Sequence, residues 1–284
     1  MVGTATLDLD GLAYHYVDEG AGHPVVMVHG NPSWSFMYRK LVLALREGHR
    51  TIAPDHIGMG RSDAPSRSEY PYDLARRVED FTRFMAALDL GEPVTLVVHD
   101  WGGMIGLAWA VEHPDRVARL VLLNTAAFPL PAHKRLPLSL QLARAPFLGE
   151  LLVRGGNAFA IGATVFGVRR GRMSRTVRQG YLAPYTSWRR RLAINQFLQD
   201  IPVGPSHPSY PVVAATGERL GRLASIPTLI CWGTKDPVFD LDYLAEWERR
   251  LPGAEVHRID AGHFVLEDAP DVVVPLIEGF LART

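Results

Sequence analysis

Val94-Thr-Leu-Val-Val-His99-Asp100-Trp101-Gly102-Gly103-Met-Ile-Gly106 is the stretch whose reading decides the fold. Val94–Val98 is a short, unbroken β-forming run, which suits a strand buried on both faces of a parallel sheet. From Met104 the pattern becomes helical. Between the two the chain must turn sharply, and Gly102 and Gly103 let backbone segments approach closely there. A strand–turn–helix of this kind lifts its tip residue above the sheet, and the tip holds Asp100 where the G-x-S-x-G version of the turn holds Ser. A carboxylate is a poor group for ester hydrolysis but a good displacer of a leaving group at saturated carbon. The product would be an ester on Asp100 that water must then cleave. The plainer alternative is that Asp100 only caps the following helix, since Asp is a favoured N-cap.

Working outward, strands and helices alternate. Ala5–Leu9 and Leu12–Val17 read as a hairpin around Asp10-Gly11. Val25–Val28 and Thr51–Pro54 are short strands, with a helix over Trp34–Arg46 between them. Tyr72–Leu88 is an amphipathic helix, with Leu74, Val78, Phe81, Met85 and Leu88 at three- and four-residue steps. Leu120–Leu123 is the next strand. From Phe128 to about Tyr210 the pattern is Pro-, Arg- and aromatic-rich with no convincing strand. Alternation returns with Thr228–Trp232, a helix near Asp242–Arg250, a strand at Glu255–Ile259 and a helix near Val272–Leu281. Such alternation predicts an α/β fold with a parallel, doubly wound sheet. It assigns 1–128 and 213–284 to the core and 129–212 to an inserted helical cap.

The 284 residues carry 30 Lys+Arg and 30 Asp+Glu. Zero net charge sets nucleic acid aside as a first reading. That zero is a sum of opposites: residues 129–212 hold 12 Lys+Arg and 2 Asp+Glu, leaving 18 and 28 elsewhere. A single Cys, Cys231, excludes a disulfide framework and a multi-Cys metal site. No metal or cofactor is called for. No run of 18 apolar residues implies a membrane span. The N-terminus shows no signal peptide, so a cytoplasmic location is expected.

Asp100 needs a base to activate water, and the base needs an orienting acid. His263, in Asp260-Ala-Gly-His-Phe-Val-Leu-Glu-Asp, follows the last strand and is the candidate base. Asp236, in Gly233-Thr-Lys-Asp-Pro, directly follows a strand and is the candidate acid; its bland alternative is a turn residue before Pro237. Asp260 and Glu267 are weaker candidates, and Asn124, at the end of the preceding strand, is uncharged. Val28-His29-Gly30-Asn31-Pro32-Ser33-Trp34 closes the third strand. The backbone N–H groups of Asn31 and Trp101 would form an oxyanion hole. His29 reads as a structural loop residue rather than a second base.

HGNPSW, HDWGG, the post-strand Asp and Gly-His-Phe together resemble the haloalkane dehalogenases of the α/β-hydrolase superfamily, and their third subfamily in particular. The resemblance implies an eight-stranded, mostly parallel sheet flanked by helices with an inserted helical cap. It implies Asp100 as nucleophile, His263 as base, and the Trp101 indole and Asn31 amide as donors to a departing halide. Cap segments point further. Leu122–Pro131, Gln179–Trp188 and Phe197–Pro202 resemble the β-lactone decarboxylases of bacterial long-chain olefin biosynthesis, which convert a cis-β-lactone to an olefin and CO2. Epoxide hydrolysis is a third reading, with Tyr181 or Tyr185 protonating the epoxide; a ligand receptor on this fold is the non-enzyme alternative.

Trp34, Phe128, Tyr181, Tyr185, Trp188 and Phe264 are candidates for the pocket wall. Arg169, Arg172, Arg175 and Arg178 recur at every third position and are expected to share a helix face, either solvated or docked to an acidic partner or an acyl-carrying enzyme, with self-association through the basic cap a further reading. Leu151–Val168 is apolar and Gly-rich. It reads first as core packing, with tunnel lining or contact with a partner or lipid surface as alternatives.

Overall fold

The computed structural model describes residues 3–131 and 134–284. Eight strands form one sheet: β1 Thr4–Leu9, β2 Leu12–Glu19, β3 His23–Val28, β4 His49–Pro54, β5 Val94–Asp100, β6 Val117–Thr125, β7 Thr228–Gly233 and β8 Glu255–Ile259. Their order is β1-β2-β4-β3-β5-β6-β7-β8. The β1–β2 and β2–β4 pairs are antiparallel and every later pair is parallel. The predicted hairpin and parallel strands are present, with β3 and β6 longer than the apolar runs suggested.

The central strands show why an unbroken apolar run was needed. In β5, Leu96 and Val98 join a core on one face while Val97 joins a second core on the other. Leu122 and Ile230 sit with the first set, and Leu123 and Cys231 with the second. Each face is covered by helices. Helices α1 (Arg39–Leu45), α2 (Leu74–Leu88) and α3 (Trp101–Ala110) follow the early strands. Leu41 of α1 belongs to the second core, and Phe81 of α2 and Ile105 of α3 to the first.

Between β6 and β7 the described residues are helical: α4 (Leu138–Arg144), α5 (Leu148–Glu150), a π-helical turn at Leu151–Gly155, α6 (Ala158–Phe166), α7 (Arg175–Leu182), α8 (Leu192–Gln199) and α9 (Tyr210–Arg219). α9 returns to the core and packs on α3. The chain closes with α10 (Leu241–Arg250), α11 (Val265–Asp268) and α12 (Pro270–Arg283).

The arginine row expected on one helix face is not one. Ser174 caps the N-terminus of α7 and accepts a hydrogen bond from the Val177 N–H, so the helix starts at Arg175. Arg169 and Arg172 precede it in irregular chain. Asp268 takes the backbone N–H groups of Arg169 and Arg170, and that tie breaks the helical run before Ser174. A second group of arginines explains part of the basic charge. Arg189 and Arg190 donate to the carbonyls of Ala64, Ser62 and Gly60, and Arg191 donates to Tyr185, Arg154 and Gly155. Guanidinium groups here fasten the insertion to core loops and to itself.

Candidate active site

Asp100 ends β5 with φ 53° and ψ −126°, a conformation that side-chain-bearing residues rarely adopt. The surrounding small residues explain how it is held. A Cβ on Gly102 would collide with the Val28 carbonyl, one on Gly103 with the Thr125 hydroxyl, and one on Gly30 with the Asp100 carboxylate itself. The Thr125 hydroxyl donates to the Asp100 carbonyl across the turn. Asp100 does not cap α3 through its side chain. The carboxylate instead points to the loop after β3, where Oδ1 accepts the Asn31 N–H at 2.6 Å.

Asp100 Oδ2 lies 3.8 Å from His263 Nε2, too far for a direct hydrogen bond and within reach through one water. On the other side of the ring, His263 Nδ1 is 2.7 Å from Asp236 Oδ2. The three side chains predicted from sequence therefore converge, although they come from the ends of β5, β7 and β8. All three are buried.

Burial sets the electrostatics. It pushes the Asp100 carboxyl up to about 6, against the pull of His263 and of the Trp101 and Asn31 N–H groups. Burial also acts to lower the His263 pKa, but the charge and hydrogen bond of Asp236, with Asp100 behind them, more than offset it. The imidazole ends above its ordinary range.

Two further residues hold this set, and sequence reading gave neither a role. Asn124 Nδ2 donates to Asp236 Oδ2 at 3.0 Å, and its Oδ1 accepts the Gly233 N–H at 2.7 Å. The uncharged residue at the end of β6 thus fixes the carboxylate at the end of β7, with the Val238 N–H on its other oxygen. His99 packs its ring on His263 at 4.5 Å, and its Nε2 lies 2.9 Å from the His263 carbonyl. A carbonyl can only accept, so Nε2 carries the proton and Nδ1 is bare. Burial keeps His99 neutral, lowering its pKa well below the usual value. The signals were the polar types of Asn124 and His99 at strand ends facing a predicted site.

His29 is fully buried, with Nδ1 against the Gly30 carbonyl and Nε2 accepting the His56 N–H. It stabilises the loop bearing Asn31, as expected. The Asn31 amide donates one N–H to the Ile194 carbonyl at 3.2 Å, and the second hydrogen remains free. Trp101 packs against Phe197, which carries the Arg77 guanidinium 3.5 Å from its ring centroid.

Above these groups lies a cavity of about 410 Å³. Asn31, Asp100, Trp101 and His263 border it, together with Ser139. Met104, Leu140, Ala143, Phe159, Leu198, Phe239 and Phe264 supply much of its apolar wall. Of the expected wall residues only Phe264 borders it. Trp34 donates its indole N–H to the Gly180 carbonyl, and Phe128 packs on Trp247. Tyr185 donates to the Ser33 carbonyl, and Tyr181 faces Glu267 and Phe36. Trp188 is half exposed beneath Arg154. Trp34, Tyr181 and Tyr185 are taken up by hydrogen bonds between insertion and core, and Phe128 by ring packing within the core, whereas the smaller residues of α4 and α6 border the cavity. Tyr243, from α10, also borders the cavity.

The sequence matches the model of the alpha/beta hydrolase fold family over residues 23–270. It is 49% identical to a cis-3-alkyl-4-alkyloxetan-2-one decarboxylase of Shewanella oneidensis, over 98% of this chain and 88% of that protein. It is 38% identical to a haloalkane dehalogenase of Mycolicibacterium paratuberculosis, over 92% of this chain and 85% of that protein. The crystal structure of the haloalkane dehalogenase DatA from Agrobacterium tumefaciens C58 superposes with a TM-score of 0.88 at 25% identity, covering 99% of this chain and 97% of that one.

Proposed function

The chain belongs to the α/β-hydrolase fold family and is a haloalkane dehalogenase-like enzyme, and from that premise we propose that it decarboxylates 3,4-dialkyl oxetan-2-ones, giving an olefin and CO2. The observation that carries this reading is the cavity: a few polar atoms at its base and long aliphatic walls from the insertion. A small haloalkane needs little of that wall, whereas a β-lactone with two alkyl arms uses it. The high identity to the Shewanella decarboxylase supports the same choice.

Loss of CO2 from an oxetan-2-one consumes neither water nor a proton. In the proposed path a carboxylate oxygen of Asp100 attacks C4, the saturated carbon bearing the ring oxygen, from the face opposite that oxygen. The C4–O bond breaks, leaving an ester on Asp100 and a carboxylate at C2. That carboxylate leaves as CO2. The C2–C3 electron pair becomes the C3=C4 bond, and the C4–Asp100 bond breaks to restore the carboxylate. Inversion at C4 followed by anti departure turns a cis-lactone into a cis-olefin. The Asn31 amide and Trp101 indole would stabilise the outgoing carboxylate.

Dehalogenation is the second reading, favoured by the same donors and by the dehalogenase relatives. It shares the first step, with halide leaving, and then needs His263 to direct water onto the ester. The epoxide reading loses its proposed acids, since neither Tyr181 nor Tyr185 borders the cavity. The test is incubation with a cis-dialkyl β-lactone and gas chromatography for the olefin, beside halide release from a bromoalkane panel. Olefin formation that Asp100→Ala abolishes is the expected result. Unchanged lactone overturns the proposal, and halide release in its place establishes the second reading.

A further inference from the structure

The insertion carries an apolar surface that its own packing does not use. Leu138, Leu142, Phe147, Leu148, Leu151 and Phe166 are all exposed, between 47% and 91%. Phe147 is the extreme case. The residue is 91% exposed, and its φ of 58° places it in the left-handed region that disfavours a bulky residue. A strained turn that pushes an aromatic ring into water has no rationale in the folded chain alone. α4, α5, the π-helical turn and α6 pack in succession on one another, and exposed apolar surface on neighbouring elements of this kind marks a contact site.

Two observations indicate what covers it. Leu142 and Phe166 both belong to the exposed surface and border the cavity, so the cavity opens through this face. The segment from 138 to 178 holds seven arginines and one acid, Glu150, which is paired with Arg154. Arg169, Arg172 and Arg175 are exposed, and α7, where Arg175 stands, packs beside α6.

We propose that this face docks on an anionic lipid surface. Phe147 and the neighbouring leucines enter the boundary between headgroups and acyl chains, and the exposed arginines lie over lipid phosphates. No helix among the described residues is long and apolar enough to cross a membrane, so the contact is peripheral. A protein seated here, or a second copy, would close the cavity mouth. A lipid surface leaves it facing the phase in which a substrate with alkyl arms dissolves; this last step rests on the substrate reading above, whereas the docking face itself does not.

The test is vesicle flotation without substrate, which separates it from any test of the reaction. The chain is expected to float with phosphatidylcholine vesicles containing about 30% phosphatidylglycerol, and far less with phosphatidylcholine alone. Phe147→Glu with Leu151→Glu, both outside the cavity wall, is expected to lower the bound fraction about tenfold or more, with an unchanged circular dichroism melt. Arg172→Glu with Arg175→Glu is expected to remove the preference for anionic lipid. Wild-type protein that stays at the bottom of the gradient overturns the proposal, as does flotation that ignores Phe147→Glu/Leu151→Glu or vesicle charge. An oligomer in light scattering that this double variant dissolves, with no flotation, assigns the face to a second copy instead.

Discussion

The sheet ends and the helical insertion meet across one cavity, and they are built differently. At the sheet ends the candidate reactive carboxylates are each held by two or more directed contacts: Asp236 by Asn124, Val238 and His263, and Asp100 by the N–H groups of Asn31 and Trp101. The insertion is held by arginine-to-carbonyl bonds and leaves large apolar side chains in water. The difference teaches a division of labour. Placing a nucleophile needs rigid strands fixed within the sheet, whereas shaping an apolar cavity and its mouth needs only bulk and position.

The sharpest way to break that division is His263→Ala. If the core alone sets the chemistry, haloalkane hydrolysis is expected to fall by about a thousandfold or more, with an ester accumulating on Asp100. Olefin release from a β-lactone, which needs no water, is expected to fall by about tenfold at most. Intact-protein mass spectrometry and gas chromatography read the two outcomes. Equal loss of both would overturn the water-free path.

The rigidity of the core should also appear as stored cost. Burial holds the Asp100 carboxyl at about 6 when folded, against an ordinary value of 3.8. The folded state therefore holds this proton more tightly than the unfolded chain. The ionised group costs nothing below about pH 4, an increasing amount between there and about pH 6, and its full amount above. Asp100→Asn is expected to raise the unfolding free energy by about 3 kcal/mol at about pH 8 and by little at about pH 4. Urea melts at the two values check this, and a gain independent of pH would contradict it.

A third variant tests the support rather than the reactive groups. Asn124→Leu takes away one of the three partners of Asp236 and the side-chain acceptor of the Gly233 N–H, and is expected to cost about 1–3 kcal/mol of stability. For haloalkane hydrolysis it should lower kcat about tenfold with little change in KM, because it misplaces Asp236 behind His263. Steady-state kinetics and thermal melts decide it.

The smallest effect lies in the insertion. Gly162 borders the cavity, and a Cβ there would meet nothing within 4 Å. Gly162→Leu is expected to fill part of the cavity, raising KM about tenfold for long alkyl arms and leaving short ones unaffected. A chain-length series measures it. A change in kcat across all lengths would mean that the insertion takes part in the chemistry and would blur the division.

Sequence reading reached the two regions unequally. Asp100, His263 and Asp236 were legible because each follows a short apolar strand, and in a parallel sheet strand ends gather at one edge. Asn124 and His99 stood at the same edge, but their roles depend on which neighbour each side chain faces, and no spacing reports that. For the cavity wall, the large aromatics Trp34 and Phe128 of the core and Tyr181, Tyr185 and Trp188 of the insertion prove to be packing or surface residues. Helical periodicity there says which side is apolar, and it does not say whether that side meets the core, a cavity or water.

The sequence by itself determined the alternating α/β order, the helical insertion with its excess of arginine, and the turn residues that are candidates for chemistry. Local backbone sterics and residue period specify these without reference to distant parts of the chain. Only the tertiary structure decided how far Asp100 stands from His263, which aliphatic side chains wall the cavity, and that Phe147 is left in water. Those facts arise from contacts between residues far apart in sequence, where packing chooses among rotamers and neighbours that the sequence leaves equally open.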